Sequence, residues 1–213
     1  MNTEAGKGQA PDFAYESAFW ARGLLHVAGV DEAGRGAWAG PVVVAAVILP
    51  SEVRDWPFRD SKSVSGGRRE VLAQEVRASA LAWSVEFAPA AEVDRYNVLQ
   101  ATRRAAVRAL QQLDLPAGAL VTDYLHLDVD LPYVAPAKGD RVSLSVAAAS
   151  LLAKTARDAY MRQLHERFPQ YGFAAHKGYG ARTHREALDR YGPCPEHRRT
   201  FAPVAQARLM PGS

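Results

Sequence analysis

"AGVDEAGRGAWAGP", residues 28–41, sets two adjacent carboxylates between an apolar run and a glycine-arginine-glycine turn. Asp31 and Glu32 belong to the side chains that cost most to desolvate, so burying them at the end of a strand demands a compensating partner. The glycines that follow let the backbone come close to whatever those acids hold. The stretch therefore reads as the end of a buried strand "LLHVAGVD" (24–31), with Asp31 as its last residue and a functional turn beyond it.

Working outward, "PVVVAAVILP" (41–50), "ALAWSVEFA" (80–88) and "GALVTD" (118–123) are further apolar runs bounded by turn residues. Between them, 67–80 and 96–113 repeat apolar residues at helical spacing, and "SVAAASLLAKTARDAYMRQLHERF" (145–168) continues that pattern over a longer span. "LPYVAP" is expected at a sheet edge, because Pro132 and Pro136 fit poorly within a central ladder. Strands alternating with helices point to an α/β sheet. The first residues mix Gly, Pro and polar side chains, so 1–20 is expected to be a flexible tail and 21–213 a single domain.

A chain of 213 residues is long enough to bury a sizeable core without a second domain. Cys194 is the only cysteine, which excludes an internal disulfide framework and a cysteine-based zinc cluster and fits a reducing compartment. The apolar run 41–49 is far short of the roughly 20 residues that span a bilayer, so a cytoplasmic protein with no membrane association is expected. The formal net charge of +3 identifies no partner, but residues 161–200 carry eight Lys/Arg against four Asp/Glu, including Arg198 and Arg199, and could form a positive surface.

Acids recur where open sheets hold their sites. Asp31 closes one strand and Asp123 another, while Ser150, Lys154 and Asp158 follow at intervals of four and share one helical face. Carboxylates gathered from three distant segments would repel one another unless hard divalent cations lay between them. Glu32, next to Asp31, points to the opposite face of a regular strand and joins such a site only if the strand breaks or its side chain curls back. "HLDVD" (126–130) is a rival, since His126, Asp128 and Asp130 share a face when extended; pattern alone leaves both groups open.

Several separated blocks, "GVDEAGRG" with "AGPVVVAAVIL", "DSKSVS", "VDRYNVLQAT", "KGD" at 138–140, "AAASLLAKTARD", "FPQYGFAAHKGYGARTH" and "HRRTFAPV", give the chain its resemblance to the bacterial type 2 ribonucleases H, the ribonuclease HII family, from about His26 to about Ala205. The resemblance implies a ribonuclease H-like fold: a central mixed five-stranded sheet flanked by helices, with a helical C-terminal part. It also implies that Asp31, Glu32, Asp123 and Asp158 hold two Mg2+ or Mn2+ ions around a phosphodiester, and that hydrolysis leaves a 3′-hydroxyl and a 5′-phosphate.

By the same resemblance, Gly34, Arg35 and Gly36 read the 2′-hydroxyl of a ribonucleotide, and Tyr179 packs on the sugar that follows it. Ser61 and Lys62 contact phosphate, and Ser150 and Lys154 support that region. The implied partners are RNA/DNA hybrid and duplex DNA containing single ribonucleotides, engaged by a monomer. A type 1-like enzyme on continuous hybrid and a non-cleaving duplex-binding relative are the alternatives. His176, His184 and His197 are expected in surface or packing roles. Two positions depart from the family pattern: Tyr124, where relatives have Gly or Ala, must turn its ring into the core or narrow the groove, and "KTARD" moves a threonine hydroxyl by one position.

Overall fold

The computed structural model describes residues 10–52 and 66–207. Its frame is one sheet in the order β3-β2-β1-β4-β5, built from β1 (Val27–Ala33), β2 (Val42–Ile48), β3 (Ala82–Ala88), β4 (Ala119–Thr122) and β5 (Tyr133–Val134). β1, β2 and β3 pair antiparallel, whereas β4 lies parallel to β1 and β5 parallel to β4, so the sheet is mixed as expected. Every residue of β2 is buried, which explains why its sequence is continuously apolar rather than alternating. The two-residue β5 forms the edge, flanked by the prolines that bar it from the interior.

Helices cover both faces. On one, α4 (Val98–Gln111) packs its alanines, Ala101, Ala105, Ala106 and Ala109, against Val42, Val44, Ala46 and Leu120. On the other, α2 (Gly66–Ser79) and α5 (Leu144–Arg167) bury Leu72, Leu144, Leu151 and Leu152 against Ala33, Ala45 and Val47. A Cβ on Gly29 would lie 2.0 Å from the carbonyl carbon of Ser145, so α5 sits directly on β1 because residue 29 has no side chain. The apolar period over 96–113 hides a break: Asn97, at φ 64°, separates α3 (Ala90–Tyr96) from α4 and accepts the Gln100 N–H at 3.0 Å as N-cap. Beyond α5 the chain forms α6 (Phe173–His176), α7 (Arg182–Tyr191) and α8 (Ala202–Ala207).

Two expectations are corrected. Residues 10–20 are not a flexible tail: α1 (Ala14–Trp20) buries Phe19 against Val27, Ala119 and Val121. Its Glu16 is fully buried, accepting the Ser143 hydroxyl at 2.6 Å and the Ser145 N–H at 3.0 Å at the start of α5. Arg198 adds nothing to a positive surface, since its side chain is completely buried; its neighbour Arg199 is exposed.

Candidate active site

The site lies where parallel strands β1 and β4 end. β4 stops at Thr122, opposite Val30, whereas β1 runs on through Asp31 and Glu32 to Ala33, so Asp31 does not end its strand. In the register with β2, Asp31 stands opposite Ala45 and Glu32 opposite Val44. Ala45 belongs to the α2/α5 side of the core and Val44 to the α4 side, so the two acids leave the strand on opposite faces. Both still reach one cavity, because β1 has outrun β4 and lacks a neighbour there. The strand does not break to bring Glu32 there, since β1 continues through Ala33.

That cavity, of about 470 Å³, is lined by Asp31, Glu32, Gly34, Arg35, Gly36, Arg69, Asp123, Ser150, Lys154 and Tyr179, with Ala33 and Leu151. Asp123 follows β4, and its Oδ1 accepts the Gly139 N–H at 2.7 Å. The same glycine lies so close that an added Cβ would stand 3.0 Å from the Asp123 Cα, which gives the "KGD" block its role. Asp31 accepts the Glu32 N–H at 2.7 Å, and Ser150 on α5 lines the same cavity, its side chain favouring the ionised carboxylate. Burial holds the Asp31 carboxyl well above the usual carboxylate range, and repulsion from Glu32 and Asp123 adds to the effect. Glu32 is raised by burial too, opposed by Arg35, whose Nη1 donates to Oε1 at 3.1 Å; its buried Oε2 has no hydrogen-bond partner among the described residues.

Asp158 does not line the cavity. It is tied at the rim by Lys154 at 2.7 Å and Arg69 at 3.6 Å, two cations that do line it. Ser61 and Lys62 lie outside the described residues. The rival acids are separated from the site: His126 and Asp128 line a different cavity, against α4. The Tyr124 ring enters neither the core nor the cavity; the residue is 69% exposed, at φ 49°, a left-handed backbone that glycine adopts more freely. The Thr155 hydroxyl donates to the Leu151 carbonyl of its own helix at 2.7 Å, away from the acids.

Among the described residues no three His, Cys, Asp or Glu side chains are gathered to hold a metal ion. The donor chemistry nonetheless suits a hard divalent cation: all oxygen, mutually repelling, with one buried carboxylate oxygen left without a donor.

Two buried arginines escaped the sequence reading. Arg157, beside Asp158, donates from Nε to the Pro41 carbonyl at 3.0 Å and from Nη2 to that of Ala39 at 3.2 Å, and its guanidinium carbon lies 5.1 Å from the Tyr179 ring centroid. Arg198 donates to the carbonyls of Arg35 at 2.8 Å and Gly40 at 3.1 Å. Burial and the neighbouring Arg157 push its pKa down to about 9. The walls that carry the glycine turn and the tyrosine are thus fastened from beneath. An "RD" or "RR" pair in sequence gives no sign that one arginine is interior.

Comparison with known proteins agrees with this architecture. Ribonuclease HII of Thermus thermophilus is 58% identical over 194 residues, covering 91% of this chain and 94% of the relative. Among solved structures, the ribonuclease H2 of Pyrococcus horikoshii OT3 superposes with a TM-score of 0.75 at 25% identity, covering 86% of this chain and 97% of that one. Bst-RNase HIII in complex with Mn2+ shares the fold, with a TM-score of 0.67 at 21% identity over 87% of this chain and 70% of its own. The family model described as Ribonuclease HII matches residues 28–204, and with that match over most of its length the chain belongs to the ribonuclease HII family, as a ribonuclease H endonuclease.

Proposed function

We propose that this chain is a metal-dependent endonuclease that cuts the phosphodiester on the 5′ side of a ribonucleotide, both in RNA/DNA hybrid and in duplex DNA carrying single ribonucleotides. The products are a 3′-hydroxyl and a 5′-phosphate. The observation that carries this reading is the meeting of Asp31, Glu32 and Asp123 with the glycine turn and Tyr179 around one cavity. These three acids, joined by Asp158 from the rim, would hold two Mg2+ or Mn2+ ions. Such ions, when bound, activate water and stabilise charge on the phosphate.

The chain's own groups supply the rest. The Glu32 N–H orients the Asp31 carboxylate, beside Ser150 in the same cavity, and Arg35 orients that of Glu32. Main-chain groups of Gly34 and Gly36, with Arg35, contact the sugar bearing the 2′-hydroxyl, the group that distinguishes RNA from DNA. Tyr179, 37% exposed on the cavity wall, packs against the next sugar, where a second hydroxyl would obstruct it. Lys154 and Lys62 neutralise phosphates and Ser61 donates a hydrogen bond to one, contacts that position the duplex without reading its sequence. No protein nucleophile is required. We assign this activity to a cytoplasmic monomer that removes ribonucleotides from duplex DNA, with residues 21–213, and α1 packed on them, as a single catalytic domain.

Gel mapping tests the reading with three duplexes: all DNA, DNA with one ribonucleotide, and RNA/DNA hybrid. Incision immediately 5′ of the lone ribonucleotide, dependent on Mg2+ or Mn2+, is expected. Cutting throughout the hybrid with none at the single ribonucleotide would overturn it in favour of a type 1-like activity.

A further inference from the structure

Between α7 and α8, two successive residues are both fully buried: His197 and Arg198. Arg198 reaches the glycine turn through the Arg35 carbonyl. His197 starts a second line. The Cys194 N–H donates to His197 Nδ1 at 3.0 Å, which places the proton of the neutral ring on Nε2. That Nε2 lies 3.0 Å from His184 Nε2, so His197 donates and His184 accepts. The His184 proton then sits on Nδ1, 2.9 Å from the Tyr179 carbonyl, a group that can only accept. One tautomer assignment satisfies all three bonds, and it needs both rings neutral.

A third imidazole completes the support. His176 stacks on His184 with centroids 4.4 Å apart, donates from Nε2 to the Tyr171 carbonyl at 2.7 Å, and accepts the Gly178 N–H on Nδ1 at 3.2 Å. Gly178 and Tyr179 are therefore held through their main chain by imidazoles, while the Tyr179 ring leans on Arg157. Apolar side chains would fill this space without any demand for hydrogen-bond partners. The polar line ends on the backbone of the residue that faces the cavity, not in solvent.

We propose that His197 and His184 are positioning residues for Tyr179, and that with Arg198 they fix the distance between the tyrosine and the glycine turn, so that the 194–198 segment sets how selectively the site reads an RNA-to-DNA junction. This rests on the junction-reading roles proposed above for both elements.

The test pairs spectroscopy with kinetics. In the intact protein with 15N-labelled histidine, long-range 15N–1H spectra at neutral pH, with rings assigned through the backbone, should show His184 as the Nδ1–H tautomer and His197 as the Nε2–H tautomer. Two like tautomers, or a charged ring, would overturn the relay even if no variant folds. H184N keeps an amide N–H near the former Nδ1 and should stay within about threefold of wild-type kcat on the single-ribonucleotide duplex. H184Q puts its amide near the former Nε2 and drops the bond to Tyr179. It should lose about tenfold in kcat with KM changed less than about threefold, and its preference for the single ribonucleotide over continuous hybrid should shrink by about fivefold or more. Equal behaviour of H184N and H184Q would sink the proposal. Y179A separates the two levels: unchanged selectivity in Y179A refutes the role given to the tyrosine, whereas altered selectivity in Y179A with none in H184Q refutes only the relay.

Discussion

Gly34 and the buried Arg157 are in such close contact that a Cβ on the glycine would stand 1.9 Å from the arginine Nε. Gly34 also has a φ of +93°, so substitution is opposed by conformation and by space at once. Gly36, two residues on, meets nothing within 4 Å. G34A should displace Arg157 from its two carbonyls and cost about 2–4 kcal/mol in thermal or urea unfolding. G36A should stay within about 1 kcal/mol of wild type yet lose cleavage, because the proposed sugar contact needs its open side free. A G36A protein with wild-type kcat/KM would remove that residue from the substrate surface.

D31N should abolish cleavage and raise the melting temperature of the metal-free protein. The Asp31 pKa is raised on folding, so the folded state resists the ionisation that the unfolded chain accepts freely, and at neutral pH this opposes folding. The neutral amide relieves that opposition and the repulsion from Glu32 and Asp123. Calorimetry with and without Mg2+ checks the point: added Mg2+ should stabilise wild type more than D31N. D123N, which keeps an acceptor for Gly139, should fold and lose at least about a hundredfold in cleavage.

The His184–His197 pair should withdraw stability as the medium is acidified from about pH 6.5 towards 4, while the raised Asp31, Glu32 and Glu16 carboxyls act in the opposite sense. Burial pushes both His184 and His197 down to about 4, whereas an unfolded histidine takes up its proton near 6.5. Within that window these two histidines bind more protons in the unfolded chain, so their contribution to stability rises with pH. The groups facing the pair reinforce the direction: His176 from α6 and Arg185 from α7 disfavour a charge on His184, and the Cys194 thiol beside His197, raised by burial, stays neutral. Urea unfolding across the window should show a weaker slope in H184N than in wild type.

E16A should cost about 1–3 kcal/mol, since it removes the acceptor of the Ser143 hydroxyl and the Ser145 N–H in a dry site. KM should be unchanged, because Glu16 lies outside the catalytic cavity. A variant as stable as wild type would show that α1 is dispensable to the α5 terminus.

The elements most legible in the sequence were those whose burial is unbroken. β2 reads directly because all seven of its residues are interior, and α5 because its alanines and leucines repeat over 24 residues. α1 was hidden because the fully buried residue of "AYESAFW" is an acid whose partners lie more than 120 residues away. Asn97 was hidden because apolar periodicity runs across it. Of the site, Asp123 could be placed from a strand end, and Asp31 from the apolar run before it although β1 continues two residues further. The access of Glu32 depends on β1 being longer than β4, and the dismissal of "HLDVD" depends on where a loop packs; both are tertiary facts. Arg157 and Arg198 left no signal, since nothing local marks a charge as interior.

The attachment of α1 to the head of α5 also dictates an order of events during synthesis. Glu16 leaves the ribosome 127 residues before Ser143 does, an interval on the order of 10 s at ordinary elongation rates. β1 likewise waits for β4, about 90 residues later, before its parallel neighbour exists. β1 can pair with β2 as soon as both are made, but α1 must wait for the head of α5 while most of the molecule is made. Asp31 and Glu32 on β1 acquire their setting only when α5 arrives to lie across Gly29.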